Sequence, residues 1–582
     1  MILQALVDHY EDLLEEGKIS RPGWGKVKVS FGLNLDEDGE VIGLFSLKVP
    51  QPSGKKTVYT PRMMEVPQPV KRSVDVNPNF LCDNSTYILG IDEKGKPART
   101  RQCYCSCKDL HDRLLKNVET GSAQAVIRFF EKWKPENAGQ HSWLTDNRKD
   151  LMAGGNLLFY YDGRPVVEDP LIRECWQKHY ENAGNRDNAI CMVTGRRAPV
   201  AVLHPTIRGV RGAQAMGTSL VSFNAPAFCS YEKEQGNNAQ VSEYAAFAYA
   251  TALNELLNDR EHTRVIGDTT VVCWAEGGGT VYQDIGIAAM FGMDDEGGMT
   301  DQDLSLIMSQ IQQGEMVPIK DEWLDPKKHF YILGLAPNAA RLAVRFFMVD
   351  SFGNILRHIN EHYKRLEIVR PSNDKFSILP LWRLLSETVN RNAKDKTPSP
   401  QMAADTLKAV LEGGRYPASL LNGIMLRIRA EREVTRGRAA AIKAYYLRNE
   451  NKGCPKEVLE VELNEQCRNV PYTLGRLFSV LEQIQQKANP GINATIKDKY
   501  FNTASSTPAQ IFPVLVNLAQ KHLRKMDDGS KVYFNRQIGE LSEVIGEEYP
   551  RRLSLPEQGS FQLGYYCQTQ KRYQKKEEKQ DE

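Results

Sequence analysis

Three residues in "HINEH", namely His358, Glu361 and His362, match the H-x-x-E-H order that sets two imidazoles one helical turn apart with a glutamate beside them. That set would serve zinc-dependent hydrolysis. The same residues also fit the polar face of an amphipathic helix whose Ile355, Leu356, Ile359 and Leu366 turn inward, and spacing alone leaves both readings open. His111-Asp112 has the form of a metal-dependent phosphohydrolase dyad, but such a site needs further His and Asp ligands, and ten histidines yield no convincing set. Cys103, Cys105 and Cys107 in "CYCSC" have one-residue spacers rather than the two of a zinc knuckle. No G-x-x-x-x-G-K-[ST] occurs, which argues against a P-loop ATPase. The acidic "MDDEGGMTDQD" lacks the alternating ligand order of an EF-hand.

Chemistry of another kind is written in "GVRGAQAMGTSLVSFN", residues 209–224. Gly209 and Gly212 let a main chain approach a phosphate with no Cβ in the way, while Arg208 and Arg211 supply charge. Tight turns before a buried strand explain the glycines equally well. The surroundings favour a polyanion: from Asn188 to Tyr231 there is no Asp or Glu, where the chain's average would put about five or six, and Arg196 and Arg197 fall inside too. A second basic patch, "LRIRAEREVTRGRAAAIKAYYLRNENK", has eight Lys/Arg against three Glu and also reads as a solvated helix face.

These groups need a multidomain frame, since one core stops growing near ~250 to 300 residues and the chain has 582. The expected class is α+β. Residues 25–90 alternate β-rich runs with turn clusters, helical periodicity follows at 108–133, and strands return near 156–168, 200–223 and 269–284. A helix is expected over "QVSEYAAFAYATALNELL". "RNAKDKTPSPQ", residues 391–401, reads as a linker, and beyond it apolar faces at three- and four-residue steps predict a helical bundle. The boundaries implied are a strand-rich domain at 1–110, a mixed α/β body at 111–395, a helical bundle at 402–567 and a polar, disordered tail at 568–582. Net charge of +2 places any polyanion contact in local clusters. The acids within "MILQALVDHYEDLLEEGKI" exclude a secretory signal, no apolar run reaches ~18 residues, and eleven scattered cysteines read as reduced thiols, so the expectation is a soluble, cytoplasmic protein with no membrane contact.

The run "VTGRRAPVAVLHPTIRGVRGAQAMGTSLVSFNAPAFCSY", followed by "EQGNNAQVSEYAAFAYATALNELL", resembles the large subunits of the type I-C CRISPR surveillance complex, Cascade. So do "MILQAL", "NFLCDNSTYILG", "YTLGRLFSVLEQIQ", "NATIKDKYFNTAS" and "LSLPEQGSFQLGYYCQ", which together span nearly the whole chain. Two departures are Glu232, where the family pattern has glycine, and "CYCSC", which belongs to no motif. The resemblance implies a non-catalytic subunit without cofactor or metal. Its implied partners are crRNA, double-stranded target DNA, backbone and crRNA-processing subunits, a small subunit from the same gene and the helicase-nuclease. It would read the protospacer-adjacent motif (PAM), help open the duplex into an R-loop and dock the nuclease; a generic RNA-binding scaffold would lack dependence on a DNA motif.

On that footing the loop "KRSVDVNPN" is the expected PAM reader, with Lys71 and Arg72 on the backbone and Ser73, Asn77 and Asn79 on base edges; an ordinary Asn-Pro turn is the alternative. Arg196, Arg197, Arg208, Gly209, Arg211 and Gly212 are expected along the nucleic-acid backbone. Lys487, Lys497, Lys499, Lys521, Arg524 and Lys525 would hold the displaced strand, in a small subunit begun internally at Met425, Val458 or Val461.

Overall fold

A computed structural model describes residues 1–53, 56–70, 76–92, 96–152, 155–182, 188–292, 301–312, 316–319, 322–374, 376–394 and 396–577. The class is α+β, with the helices concentrated toward the C-terminus. The chain divides into two compact units, one of Leu6–His204 with Phe223–Ala252, the other of Met1–Ala5, Pro205–Ser222 and Leu253–Glu582.

The first unit is built on Trp24–Leu35, a strand long enough to pair three times. It runs antiparallel to Val41–Ser46 and Arg62–Pro67 and parallel to Asn156–Tyr161, which in turn takes Cys82–Asn84 and Arg164–Pro165. Phe31, Leu33, Leu35, Leu157 and Phe159 are buried with Phe129 and Phe130 of helix Gly121–Lys132. Thr120 starts that helix by accepting from the Ala123 amide. His111 of helix Pro97–Leu115 completes the core as a neutral ring, with Nδ1 2.7 Å from the Cys107 carbonyl and Nε2 accepting from Leu81 N–H. Burial lowers its pKa to about 4. Cys103 and Cys107 are buried on the same helix and Cys105 is exposed, so the "CYCSC" spacing is that of a helix in which every fourth residue faces the core.

The second unit carries an antiparallel sheet ordered Arg264–Ile266, Thr269–Ala275, His329–Asn338, Arg341–Ser351. Its core continues without interruption from Ile266 to Cys567, through Met402, Ala403 and Leu407 just past the 391–401 segment. The strand expected across 269–284 ends at Ala275, because Gly277, Gly278 and Gly279 all take positive φ and turn the chain into helix Thr280–Phe291. Nor is there a regular strand over 200–223. Prolines and positive-φ glycines leave that segment only isolated bridges.

Helix Val470–Ala488 is the axis of the C-terminal region. Asn469 caps it through the Tyr472 amide, and Leu474, Leu477, Phe478, Leu481 and Ile484 are buried. Glycine sets its approach to Leu555–Glu577: a Cβ on Gly475 would lie 2.0 Å from the Phe561 carbonyl oxygen, and one on Gly564 2.1 Å from that of Tyr472. That last helix runs on to Glu577, with Gln568 buried against Arg476 and Thr569 bonded to Ser479, past the start of the expected tail. Polar composition misleads there because those side chains have partners on the axial helix. Among the described residues no helix is long and apolar enough to cross a membrane.

Candidate nucleic-acid interface

The acid-free stretch begins as a hairpin of Asn188–Ile190 with Arg197–Pro199, in which Arg197 stands opposite Ile190. Its turn is held locally: Gly195 at φ 70° donates to the Cys191 carbonyl, and Cys191 N–H donates to that of Arg196. The buried Cys191 sulfur accepts from Ser242 N–H at 3.2 Å. Burial pushes its thiol pKa up, but hydrogen bonds from Ser242 and Thr194 outweigh that and hold it at about 7. Arg196 and Arg197 project from this anchored turn into solvent.

The glycine-arginine loop is closed by a bridge, with Ile207 and Thr218 exchanging two N–H···O bonds of 2.8 Å. Inside it the Arg208 amide donates to Asn254 Oδ1 at 2.8 Å and the Arg211 amide to Thr270 Oγ1 at 3.0 Å. The backbone is pinned while both side chains are exposed. Gly209, at φ 94°, would put a Cβ 3.0 Å from Leu257 Cβ; Gly217, at φ 96°, would put one 2.8 Å from Thr206 Cβ. These two glycines answer to the fold. Gly212, at φ 77°, has only Pro337 near, at 3.4 Å, and its outer side is open.

None of the four guanidiniums has an ion-pair partner among the described residues. They divide between the units, Arg196 and Arg197 in the first, Arg208 and Arg211 in the second.

Of the expected PAM-reading residues, Lys71, Arg72 and Ser73 lie outside the described residues. Asn77 is exposed. Asn79 accepts from the Val70 amide through Oδ1 at 3.0 Å, and its own amide donates to Asp83. Its side chain thus ties the base of the 70–79 loop.

The C-terminal lysines and arginine stand at or near helix ends. Lys487 donates to Ser530 Oγ at 2.7 Å, and Lys525 reaches Asn489, which also bonds His522. Lys521 and Arg524 are exposed at the end of Pro508–Leu523, and Lys497 and Lys499 stand in the opening turn and a half of Ile496–Ser506, whose first amide bonds Gln485 of the axial helix. Cations at helix C-termini offset the macrodipole, which gives part of this cluster a structural reason.

The H-x-x-E-H residues serve other partners. His362 is buried with Nδ1 2.6 Å from the Tyr416 hydroxyl, and burial, reinforced by Arg365, takes its pKa to about 3. His358 bonds the Leu411 carbonyl through Nδ1 and lies 3.0 Å from the Arg357 guanidinium through Nε2, while Glu361 is paired with Arg357 and Arg365. A cation at this place would face two guanidiniums. Among the described residues no group of three or more His, Cys, Asp or Glu is arranged to hold a metal.

Sequence reading passed over Tyr231, whose side chain is the most exposed aromatic among the described residues at 95%. The available signal was Glu232, sitting where a glycine is expected: Tyr231 and Glu232 both take positive φ, at 53° and 57°.

The model of a family described as CRISPR-associated protein (Cas_Csd1) matches residues 6–573. No curated protein matches the chain.

Proposed function

This chain belongs to the Cas_Csd1 family of CRISPR-associated proteins, and from that premise we propose that it is the large subunit of a type I-C RNA-guided surveillance complex, Cascade. In this reading it works in the cytoplasm, without catalysis or cofactor, beside crRNA, the backbone and crRNA-processing subunits and a small subunit. It recognises the PAM in double-stranded DNA, assists opening of the duplex and docks the helicase-nuclease. Base pairing with the guide reads the long sequence, so the protein has only to read a short motif and hold backbones.

The observation that carries the reading is the acid-free stretch with four exposed arginines that make no ion pair among the described residues, Arg208 and Arg211 on backbone pinned through their amides. Guanidiniums carried on a pinned backbone neutralise phosphates by counterion release and lose no backbone freedom in doing so. PAM reading is assigned to the 70–79 loop, with exposed Asn77 on a base edge and Asn79, bonded to the Val70 amide, as the loop tie. The test is binding of the assembled complex to duplexes that differ only in the candidate PAM. Asn77→Ala should lose about 1 to 3 kcal/mol on the correct motif and little on a wrong one. Equal affinity for all duplexes would refute PAM recognition by this complex.

The small subunit is proposed to be the C-terminal helices made from an internal start. A chain begun at Val458 or Val461 keeps Val470–Ala488 with all the helices after it, whereas one begun at Met425 cuts helix Ala418–Glu431, where Met425 is buried. Mass spectrometry of the complex expressed from this gene alone should find a fragment beginning near Val458.

A further inference from the structure

The acid-free stretch ends on Tyr231, and the backbone there is bent in a way side chains resist. Within five residues Tyr231, Glu232 and Gln235 take φ of 53°, 57° and 44°. A Cβ crowds the carbonyl in this left-handed region, so each residue carries a cost that something must hold in place. Asn238 is that clamp. Its Oδ1 accepts from Ser230 N–H at 2.9 Å, and its Nδ2 donates to the carbonyls of Lys233 at 2.9 Å and Gln235 at 3.0 Å. Next to it the buried Gly236 donates to the Val202 carbonyl, and a Cβ there would lie 1.9 Å from the Ala201 oxygen. The loop is therefore fixed at its root and bears at its tip a tyrosine with no ring contact among the described residues.

The same short segment mounts the arginine hairpin. Met192 N–H donates to the Gln240 carbonyl, Ala201 N–H to that of Val241, and Val200 bridges Ser242. Only Ala239 separates Asn238 from Gln240, so the two roots lie within about 7 Å of chain. Beside Arg197 on the hairpin stands Ile190, 66% exposed, and Met192 at the turn is 65% exposed. Guanidiniums without an ion pair among the described residues, apolar surface and an aromatic ring on a fixed loop form the combination that holds single-stranded nucleic acid, charge on the phosphates and a ring face on a base. Glu232 and Glu234 follow the tyrosine with Lys233 between them, a net negative segment, so attraction of the strand falls to Arg196 and Arg197 and the ring's part is stacking.

We propose that Tyr231 is a stacking platform for an unpaired nucleobase, with Arg196 and Arg197 holding the adjoining phosphates. This deepens the nucleic-acid reading above and rests on it. The base comes from the guide RNA or from DNA opened by the complex, and both sources present the same ring face.

The full-length protein, alone and in the assembled complex, is irradiated with an RNA oligomer carrying iodouridine and, separately, a DNA oligomer carrying iododeoxyuridine. Tyr231 should appear in the cross-linked peptide, and the arm that yields it names the source. Tyr231→Ala should weaken binding of that oligomer about 5- to 150-fold, while Tyr231→Trp should keep it. Both variants should unfold like the parent, since the side chain is exposed. Unchanged binding by Tyr231→Ala with no cross-link at this residue overturns the proposal. So does a variant that binds the oligomers normally but fails to retain another protein subunit, which would make Tyr231 a protein contact. Loss of PAM discrimination by the parent complex would strike the broader reading alone, because the cross-link is scored without it.

Discussion

In the 188–231 stretch the guanidiniums of Arg196, Arg197, Arg208 and Arg211 face solvent, whereas in the 426–452 stretch six of the eight cations are spent on the protein itself. Arg438 is fully buried between Glu387 and Glu431 and also donates to the Glu433 carbonyl. Arg436 binds Asp374 and the carbonyls of Phe376 and Ser377, and Arg427, Arg429, Lys443 and Arg448 each have a protein partner. Both stretches are arginine-rich. What separates them is the acids: the second carries its own counter-charges and alanines that pull its helix into the core, while the first has none for 44 residues. A cation with no local carboxylate and no apolar helix face is left in solvent.

The comparison breaks first at Arg438. Replacing it with alanine strands two carboxylates beside a core and should cost about 3 to 5 kcal/mol in denaturant unfolding, whereas Arg438→Met, which keeps the volume, should cost less if Glu387 and Glu431 are neutralised with it. A loss under ~1 kcal/mol for the alanine variant would make the buried network no different from the exposed one. Acid sharpens the same contrast. His111 and His362, buried and neutral with pKa values of about 4 and about 3, titrate near 6.5 once unfolded. Between those limits the unfolded chain binds more protons, so stability is intact above pH 6.5 and falls as pH drops toward 4, by about 2 kcal/mol per histidine at pH 5. His362→Gln should flatten that slope in pH-dependent unfolding. The exposed region instead carries strain. Glu232→Gly should relieve a left-handed Cβ clash worth about 1 to 2 kcal/mol and give back part of it as unfolded-state entropy, for a net gain of about 0.5 to 1 kcal/mol in thermal unfolding.

How far all this was legible follows the same physics. The helices of the C-terminal region announced themselves because Leu474, Leu477, Phe478, Leu481 and Ile484 repeat at the helical period and are all buried. The 200–223 segment did not, since its apolar residues alternate like a strand while Pro205 and the glycines at 209, 212 and 217 forbid one. The absent acids foreshadowed only that Arg196, Arg197, Arg208 and Arg211 are exposed and make no ion pair among the described residues. The H-x-x-E-H spacing was not decisive, because what assigns His358 and His362 is Leu411 and Tyr416, some fifty residues on. Asn79 shows the limit most directly: a side chain of the right type to read a base is bonded instead to the Val70 amide.

The smallest effect on stability is expected where the effect on binding is clearest. Arg196, Arg197, Arg208 and Arg211 make no ion pair among the described residues, and what holds Arg208 and Arg211 in place is their amides, which alanine keeps. The quadruple Arg→Ala protein should therefore unfold within about 0.5 kcal/mol per site of the parent. If each arginine neutralises one phosphate, the plot of log affinity against log salt should flatten by ~0.7 to 0.9 for every phosphate left without its guanidinium, the lower figure for single strands and the higher for duplex. Substituting the pairs separately adds a second discrimination, because Arg196 and Arg197 belong to one compact unit and Arg208 and Arg211 to the other. A pair whose removal leaves the slope unchanged is not on the nucleic-acid path. If neither pair moves it while the complex still assembles, the absence of acids across this stretch has some other cause and the exposed arginines are no more a binding surface than the buried ones.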